Sequence, residues 1–388
     1  MSATKRPSPV QRLRRLSLAV VSAAALSSVA VIPVTAVEPE TCDLASVASW
    51  TIESAPDTEL RDKFATYGNL PNNWNGGDST YSTVLPDGRT AWFFSDTLFG
   101  DVLEDGTQPL DTEFVNSSMV IEESGELTRT VTGGNAANRT GLIPPDENGW
   151  YWLGASHVTD DGSSLDVMFM RFERFGPGMW DWGWDRNVLG RFSPTSLKLR
   201  EVVPMPSESG VNWASWIQRV GDETLIYGVE DLGLEKFMHL AKVPGDDLTQ
   251  PWQYWTGTGW SATETDSVRI MPGVANEYSV APFHDGYLLV TQNTLELFSR
   301  DIVAYTSCSP TGPFTRIGTL YTTPETGLFG SYGNPNVFTY NAHEHPDRRD
   351  GNDLLVTYNV NSFDPDDLYA DATIYRPRFI GVSLIPTP

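Results

Sequence analysis

The sequence predicts an all-β protein, a single five-bladed β-propeller preceded by a cleavable signal peptide. Three observations lead there. Long helical periodicity is absent, while Gly, Pro, Asn and Asp punctuate short runs rich in Val, Tyr, Phe, Trp and Thr. A hairpin with a polar turn and a strongly apolar second strand recurs five times, its turns separated by 74, 60, 64 and 65 residues. Each interval has room for about four strands, which suits propeller blades better than a solenoid or a sandwich.

The elements follow in order. Lys5, Arg6, Arg12, Arg14 and Arg15 precede an apolar, small-residue run from Leu16 to about Val34, and Val34-Thr35-Ala36 offers a signal peptidase its small-x-small pattern. Residues 1–36 therefore read as an export signal rather than a retained anchor, and 37–388 as one propeller domain. The repeated hairpins are PDGRTAWFFSD around Asp87, DDGSSLDVMFMRF around Asp161, VGDETLIYGVED around Gly221, HDGYLLVTQN around Asp285 and RDGNDLLVTYNVN around Asp350. Upstream of each turn lies a small or polar cluster: GGDS at 76–79, LGASH at 153–157, NWAS at 212–215, NEYS at 276–279 and GNPN at 333–336. Small residues on the innermost strands let five strands converge, and their polar groups meet at one mouth of the central channel.

Composition narrows the partners. The chain carries 26 basic and 50 acidic residues, and removing residues 1–36 takes away five of the basic ones, leaving a net charge of −29. Such a field repels nucleic acid and anionic membrane surfaces. It is compatible with an uncharged polysaccharide, with no nucleic acid partner and no stable membrane insertion once the signal is removed. Cys42 and Cys308 are the only cysteines, and export permits a disulfide between them. There is no CxxC or HExxH motif. His343-Glu344-His345 lies in NAHEHPDRRDGND, which reads as a charged, solvated turn rather than a metal site. Neither a metal nor a cofactor is expected.

The first hairpin poses the chemical question, because it is apolar along most of its length yet carries Asp78 near the start of its first strand and Asp96 at the end of its second. Leu85-Pro86-Asp87-Gly88-Arg89 suits a three-residue connection, a type I turn followed by a left-handed Gly88. Facing residues then have numbers summing to 174, which sets Asp78 opposite Asp96 with β-carbons about 4.5–5.5 Å apart. Two carboxylates so close in a partly desolvated channel cannot both ionise freely, so one keeps its proton near neutral pH. That combination supplies an acid and a nucleophile, at a separation suited to a retaining glycosidase. The same pair could hold a structural cation or cap backbone amides, and a two-residue turn at Asp87-Gly88 would put the acids on opposite faces.

The run W-x-G-G-D-S-T-Y-S-x-x-L-P-D-G-R-T-x-W-F-F-S-D-T, with NSSM at 116–119, SRDIVAYTSCSPTGPF at 299–314 and YNVNS at 358–362, resembles glycoside hydrolase family 183. The likeness spans about Gly68 to Leu384. It implies a secreted endo-D-arabinanase on a five-bladed propeller, acting with retention on arabinan of the arabinogalactan or lipoarabinomannan type. It maps the family's catalytic aspartates onto Asp78, as nucleophile, and Asp96, as general acid/base. An exo-acting arabinofuranosidase and a non-catalytic carbohydrate-binding propeller are the alternatives.

A retaining enzyme also needs groups that hold sugar hydroxyls as charge develops. Residues flanking the repeated hairpins at comparable positions are Asn116, His157, Trp213, Glu277, Gln292, Asn336, Asn359 and Asn361. Glu277 stands out as a third acid. Trp180, Trp182 and Trp184 read as packing between blades rather than a sugar platform, and QPWQYWTGTGW, from Gln250 to Trp260, could serve either end. Arg376 and Arg378 read as closing the last blade.

Overall fold

The computed structural model describes residues 42–178 and 181–387. The expected signal peptide and Trp180 lie outside the described residues. Five antiparallel sheets follow one another along the chain. Blade 1 runs outward through Asn73–Val84, Thr90–Gly100, Ser118–Glu123 and Glu126–Val131; blade 2 through Gly149–Val158, Leu165–Arg174, Trp182–Phe192 and Leu199–Pro204. Blade 3 runs through Asn212–Val220, Glu223–Asp231, Lys236–Pro244 and Gln253–Trp255; blade 4 through Tyr278–Phe283, Gly286–Gln292, Asp301–Ser307 and Thr315–Thr322. Blade 5 takes Val337–Glu344, Asp353–Ser362 and Arg378–Thr387 from the end of the chain and its outermost strand, Ser49–Pro56, from the beginning. The two chain ends pair in continuous register, from Ser49 opposite Thr387 to Pro56 opposite Ile380, so the ring closes by backbone hydrogen bonds.

The five predicted hairpins are the five connections between innermost and second strands. Their apolar second strands are buried on both faces because each blade is covered by its neighbours. Trp92, Phe93 and Phe94 of blade 1 are fully enclosed, as are Val167 to Phe169 of blade 2 and Leu288 to Val290 of blade 4. Apolar clusters fill the spaces between blades, the largest joining blades 1, 2 and 3, and each fully buried large side chain contributes about 1.5–3 kcal/mol. Convergence at the axis needs small residues where backbones nearly touch. A Cβ on Gly154 would lie 2.0 Å from the Ala214 carbonyl of the next blade.

One helix escaped the sequence reading. Thr58–Gly68 is capped by Asp57, whose carboxylate accepts from the Leu60 amide at 3.0 Å, and its buried residues Leu60, Phe64 and Tyr67 recur at helical spacing. They pack with Trp74, Trp92, Phe94 and Phe379, joining blade 1 to blade 5.

The Cys42–Cys308 disulfide is formed. Beside it the Asp43 amide donates to Asp285, the turn residue of blade 4, so the bridge lies at the ring face that carries the hairpin turns.

Two expectations need correction. GNPN at 333–336 precedes the innermost strand of blade 5 rather than lying on it; Asn341, Ala342 and His343 hold the axial place. His343, Glu344 and His345 are not in a solvated turn but buried, because the first two end that same strand and His345 follows directly. Burial of Glu344 is compensated by Arg349, whose Nε and Nη2 donate to its two oxygens at 2.6 and 2.7 Å. Among the described residues no cluster of His, Cys, Asp and Glu has the makings of a metal site, and no helix is long and apolar enough to cross a membrane.

Candidate active site

The turn of the first hairpin has the expected form. Arg89 accepts from the Leu85 amide across it, Leu85 accepts from the Gly88 amide, and Gly88 sits at φ +85°. Pairs therefore sum to 174 from Val84 opposite Thr90 to Tyr81 opposite Phe93. Beyond Tyr81 the strand departs from regular pairing, since Ser79 and Thr80 both adopt left-handed backbone, at φ 71° and 65°. The 174 register resumes at Gly77 opposite Thr97. Asp78 thus has no direct ladder partner and sits in a bulge beside Asp96. Two consecutive non-glycine residues in this region cost of order 1–3 kcal/mol each, which tertiary contacts must hold in place.

Those contacts are visible. Ser79 Oγ donates to Glu277 at 2.7 Å, and Asn359 Nδ2 donates to Thr80 Oγ1 at 2.8 Å. The Gly77 amide donates to the Tyr375 carbonyl at 2.9 Å. A Cβ on Gly76 would lie 2.3 Å from that carbonyl, so glycine there lets the segment before blade 5's third strand press against the acid-bearing strand.

The two aspartates are coupled and differently furnished. Burial pushes the Asp78 carboxyl up to about 6, against hydrogen bonds from Tyr340 and Tyr375 that favour its ionised form. Tyr340 donates to its Oδ2 at 2.6 Å, and Oδ1 has no hydrogen-bond partner. Asp96 is pushed up to about 8, first by burial and then by the charge of Asp78. Its Oδ1 accepts from Asn116 Nδ2 at 3.0 Å and from Trp152 Nε1 at 2.5 Å. The order follows from the surroundings: two phenol donors favour the charge on Asp78, and that charge keeps the proton on Asp96. Deeper in the channel Glu277 is held well above the ordinary carboxylate range by burial. Burial favours its neutral form, and it is bonded to Ser79 rather than exposed beside the pair.

A cleft of 590 Å³ opens from Asp96 and is lined by Asn116, Asn361, Asp146, Arg174 and the indoles of Trp150, Trp152 and Trp182. Trp152 and Trp182 meet edge to face at 5.3 Å, and Phe172 backs them. A second cleft, of 440 Å³, includes Tyr340. The two are neighbours at Asn361, which lines the first and donates to the Tyr340 hydroxyl of the second at 3.2 Å. Asp96 thus lines the first cleft beside the indoles, while Asp78 is bonded to Tyr340 of the second.

A family model described as a domain of unknown function (DUF5005) matches residues 61–384. The chain belongs to that family. No curated protein sequence matches it significantly. Among solved structures, a Bacteroides ovatus protein provisionally described as a hydrolase is similar at TM-score 0.71 and 18% identity, over 89% of this chain and 95% of that one. At that identity the likeness shows the fold. The α-L-arabinofuranosidase PaAbf62A from Podospora anserina gives TM-score 0.46 and 11% identity, over 82% and 93% of the two chains. The family 117 glycoside hydrolase Zg3597 from Zobellia galactanivorans gives TM-score 0.46 and 10% identity, over 87% and 90%.

In this DUF5005 domain the residues singled out from sequence divide into three groups. Asn116 contacts Asp96, Asn361 reaches Tyr340, and Gln292 lines the second cleft while donating to the Ser299 carbonyl at 2.6 Å. Glu277 and Asn359 support the bulge from beneath. The remaining three are elsewhere. His157 is five residues, about 16 Å, along its strand from Trp152 and lies beside Asp166, Asp160 and Arg219 near the hairpin turn. Trp213 is wholly enclosed, donating to Glu264 at 3.0 Å and packed against Trp252 and Tyr254, so that part of QPWQYWTGTGW is core. Asn336 belongs to a loop turn in which its amide donates to Asn334.

Tyr340, Tyr375, Trp150 and Trp152 are the site residues that sequence reasoning missed. Tyr340 had a signal, since it stands ten residues before Asp350 much as Asp78 stands nine before Asp87. Trp182 lines the cleft instead of serving only as packing, whereas Trp184 joins the interblade core. Arg376 and Arg378 act as closing residues: Arg376 Nε donates to the Asn75 carbonyl at 3.0 Å, and Arg378 Nε donates to Glu325 at 3.0 Å.

Proposed function

We propose that the protein is an exported, retaining glycoside hydrolase that cleaves internal arabinofuranosyl linkages of cell-wall arabinan, as the resemblance to family 183 implies. The observation that carries the reading is the coupled pair, with Asp78 favoured as carboxylate and Asp96 as acid on adjacent strands of one hairpin. Asp78 attacks the anomeric carbon while Asp96 gives its proton to the departing glycosidic oxygen, forming a glycosyl ester and a free sugar hydroxyl. Asp96, now ionised, takes a proton from water as the water oxygen displaces Asp78, which restores both groups. Asn116 and Trp152 hold Asp96 in place for both proton transfers.

Internal cleavage accords with one cleft lined by Asp96 and another lined by Tyr340, the partner of Asp78, since a polymer cut mid-chain must extend in both directions. The indoles suit sugar faces, and Asn116, Asn361 and Asp146 suit hydroxyls. Export accords with the disulfide and the N-terminal pattern. The test is incubation with purified D- and L-arabinans, chromatography of the products and proton NMR of the first-formed anomer. Oligosaccharide products of retained configuration, absent with Asp78→Asn, are expected. Inactivity on every arabinan would refute the substrate assignment, and an inverted first product would refute Asp78 as nucleophile.

A further inference from the structure

The two clefts differ in chemistry. The Asp96 cleft combines indoles with carboxylate, amide and guanidinium groups. The Tyr340 cleft is lined by Leu234, Leu295, Leu297 and Phe298, all largely exposed, together with amides such as Asn276, Gln292 and Asn293. A run of rings leads into it from the acid pair. Tyr340, bonded to Asp78, lies 5.3 Å from Phe338; Phe338 stacks on Phe363 at 4.4 Å; and Phe363 meets Phe298 edge to face at 5.6 Å. Solvent-exposed leucines offer a sugar ring neither a flat face nor a hydrogen bond. Four largely exposed apolar side chains gathered around one concavity suit an apolar ligand.

We propose that the Tyr340 cleft is a subsite for an alkyl or acyl group carried by the substrate, so that the enzyme takes an amphipathic glycan with its carbohydrate along the indoles and its apolar substituent on Leu234, Leu297 and Phe298. This rests on the glycosidase reading for its carbohydrate half. The occupant is assigned to the substrate because Tyr340, which lines the cleft, is bonded both to Asp78 and to Asn361 of the Asp96 cleft, so a group seated there is within reach of a glycan bound at Asp96. The only charged groups in the lining are Lys236 and Glu296, of opposite sign, so the cleft favours no net charge on its ligand.

The test is calorimetric binding of methyl, butyl and octyl α-D-arabinofuranosides, and of methyl and octyl β-D-glucopyranosides, to the full chain carrying Asp78→Asn, below the detergents' micellar concentrations. Complete burial of one methylene is worth about fourfold in affinity, so octyl should bind at least about tenfold tighter than methyl in both sugar series. Leu234→Asp with Leu297→Asp, both at exposed positions, should abolish that gain. Equal affinity for methyl and octyl overturns the proposal, as does a gain that survives the double substitution. A dimer in sedimentation that the double substitution dissociates, without any chain-length effect, would mean that a second copy covers the cleft and also overturns it. Chain-length dependence in both series without turnover of any arabinan would sink the proposed substrate and leave the apolar subsite standing.

Discussion

Replacing Tyr340 by Phe removes one hydroxyl and tests the electrostatic order of the pair. Tyr340 donates to Asp78 Oδ2 at 2.6 Å and is itself held by Asn361. A hydrogen bond to a charged group is worth about 1.5–3 kcal/mol, and one pKa unit corresponds to about 1.4 kcal/mol, so Asp78 should titrate roughly one to two units higher in the variant. The sign is fixed: the lost bond favoured the ionised form, and Asp78 must be ionised to act as the proposed nucleophile. The acid limb of kcat/KM against pH, near 6 in the native protein, should move toward the basic limb near 8. The loss should be roughly ten- to hundredfold at pH 5 and much smaller at pH 7.5. The assay is initial-rate hydrolysis across pH, with a thermal melt to establish folding. A uniform loss with an unmoved acid limb would show that Tyr340 contributes packing alone and would refute the role of positioning residue.

Other predictions follow from the same geometry. Asp96→Asn should lower turnover of the polymer by about 10²–10⁴, with much of it recovered on aryl glycosides whose leaving groups need no proton. The same variant should be more heat-stable than wild type at pH 8–9 and equal to it near pH 4. A carboxyl raised from 3.8 to about 8 destabilises the fold progressively as pH climbs through that interval, and the amide does not. Equal melting temperatures across that range would contradict the assigned burial cost. Gly76→Ala forces a Cβ to 2.3 Å from the Tyr375 carbonyl, so folding stability in denaturant titration should fall by about 1–3 kcal/mol and kcat should drop as Tyr375 withdraws from Asp78. A variant lacking Cys42 and Cys308, which lie 266 residues apart in sequence, should lose about 2–4 kcal/mol in denaturant titration yet keep its kcat, because the bridge lies at the face of the hairpin turns.

The hairpin repeat was legible because blade interiors impose a strong local rule. A second strand buried on both faces must be a continuous apolar run ended by a turn, and that survives in one dimension as PDGRTAWFFSD and its four counterparts. Asp78 and Asp96 were legible for a related reason, as the turn type fixes the register of the strands it joins. What the register could not foresee was the bulge at Ser79 and Thr80. Their left-handed backbone is held by Glu277 and Asn359, about two and three hundred residues away in the chain. Trp213 and His157 were misplaced because a position counted along a strand gives its distance from a turn and not what lies across the blade interface.

Sequence alone therefore determined the closed ring of five hairpins, the pair of acids on the first and the two cysteines able to meet. Turns and short-period burial act between near neighbours, so residue order records them. Only the tertiary structure decided which acid holds the proton, which tyrosines steady the other and where the indole and leucine clefts open. Those properties come from Tyr340 and Tyr375 of blade 5, Trp152 of blade 2 and Asn116 of blade 1 converging on two carboxylates. Desolvation and Coulomb energy depend on separation in space, which ring closure sets independently of separation along the chain.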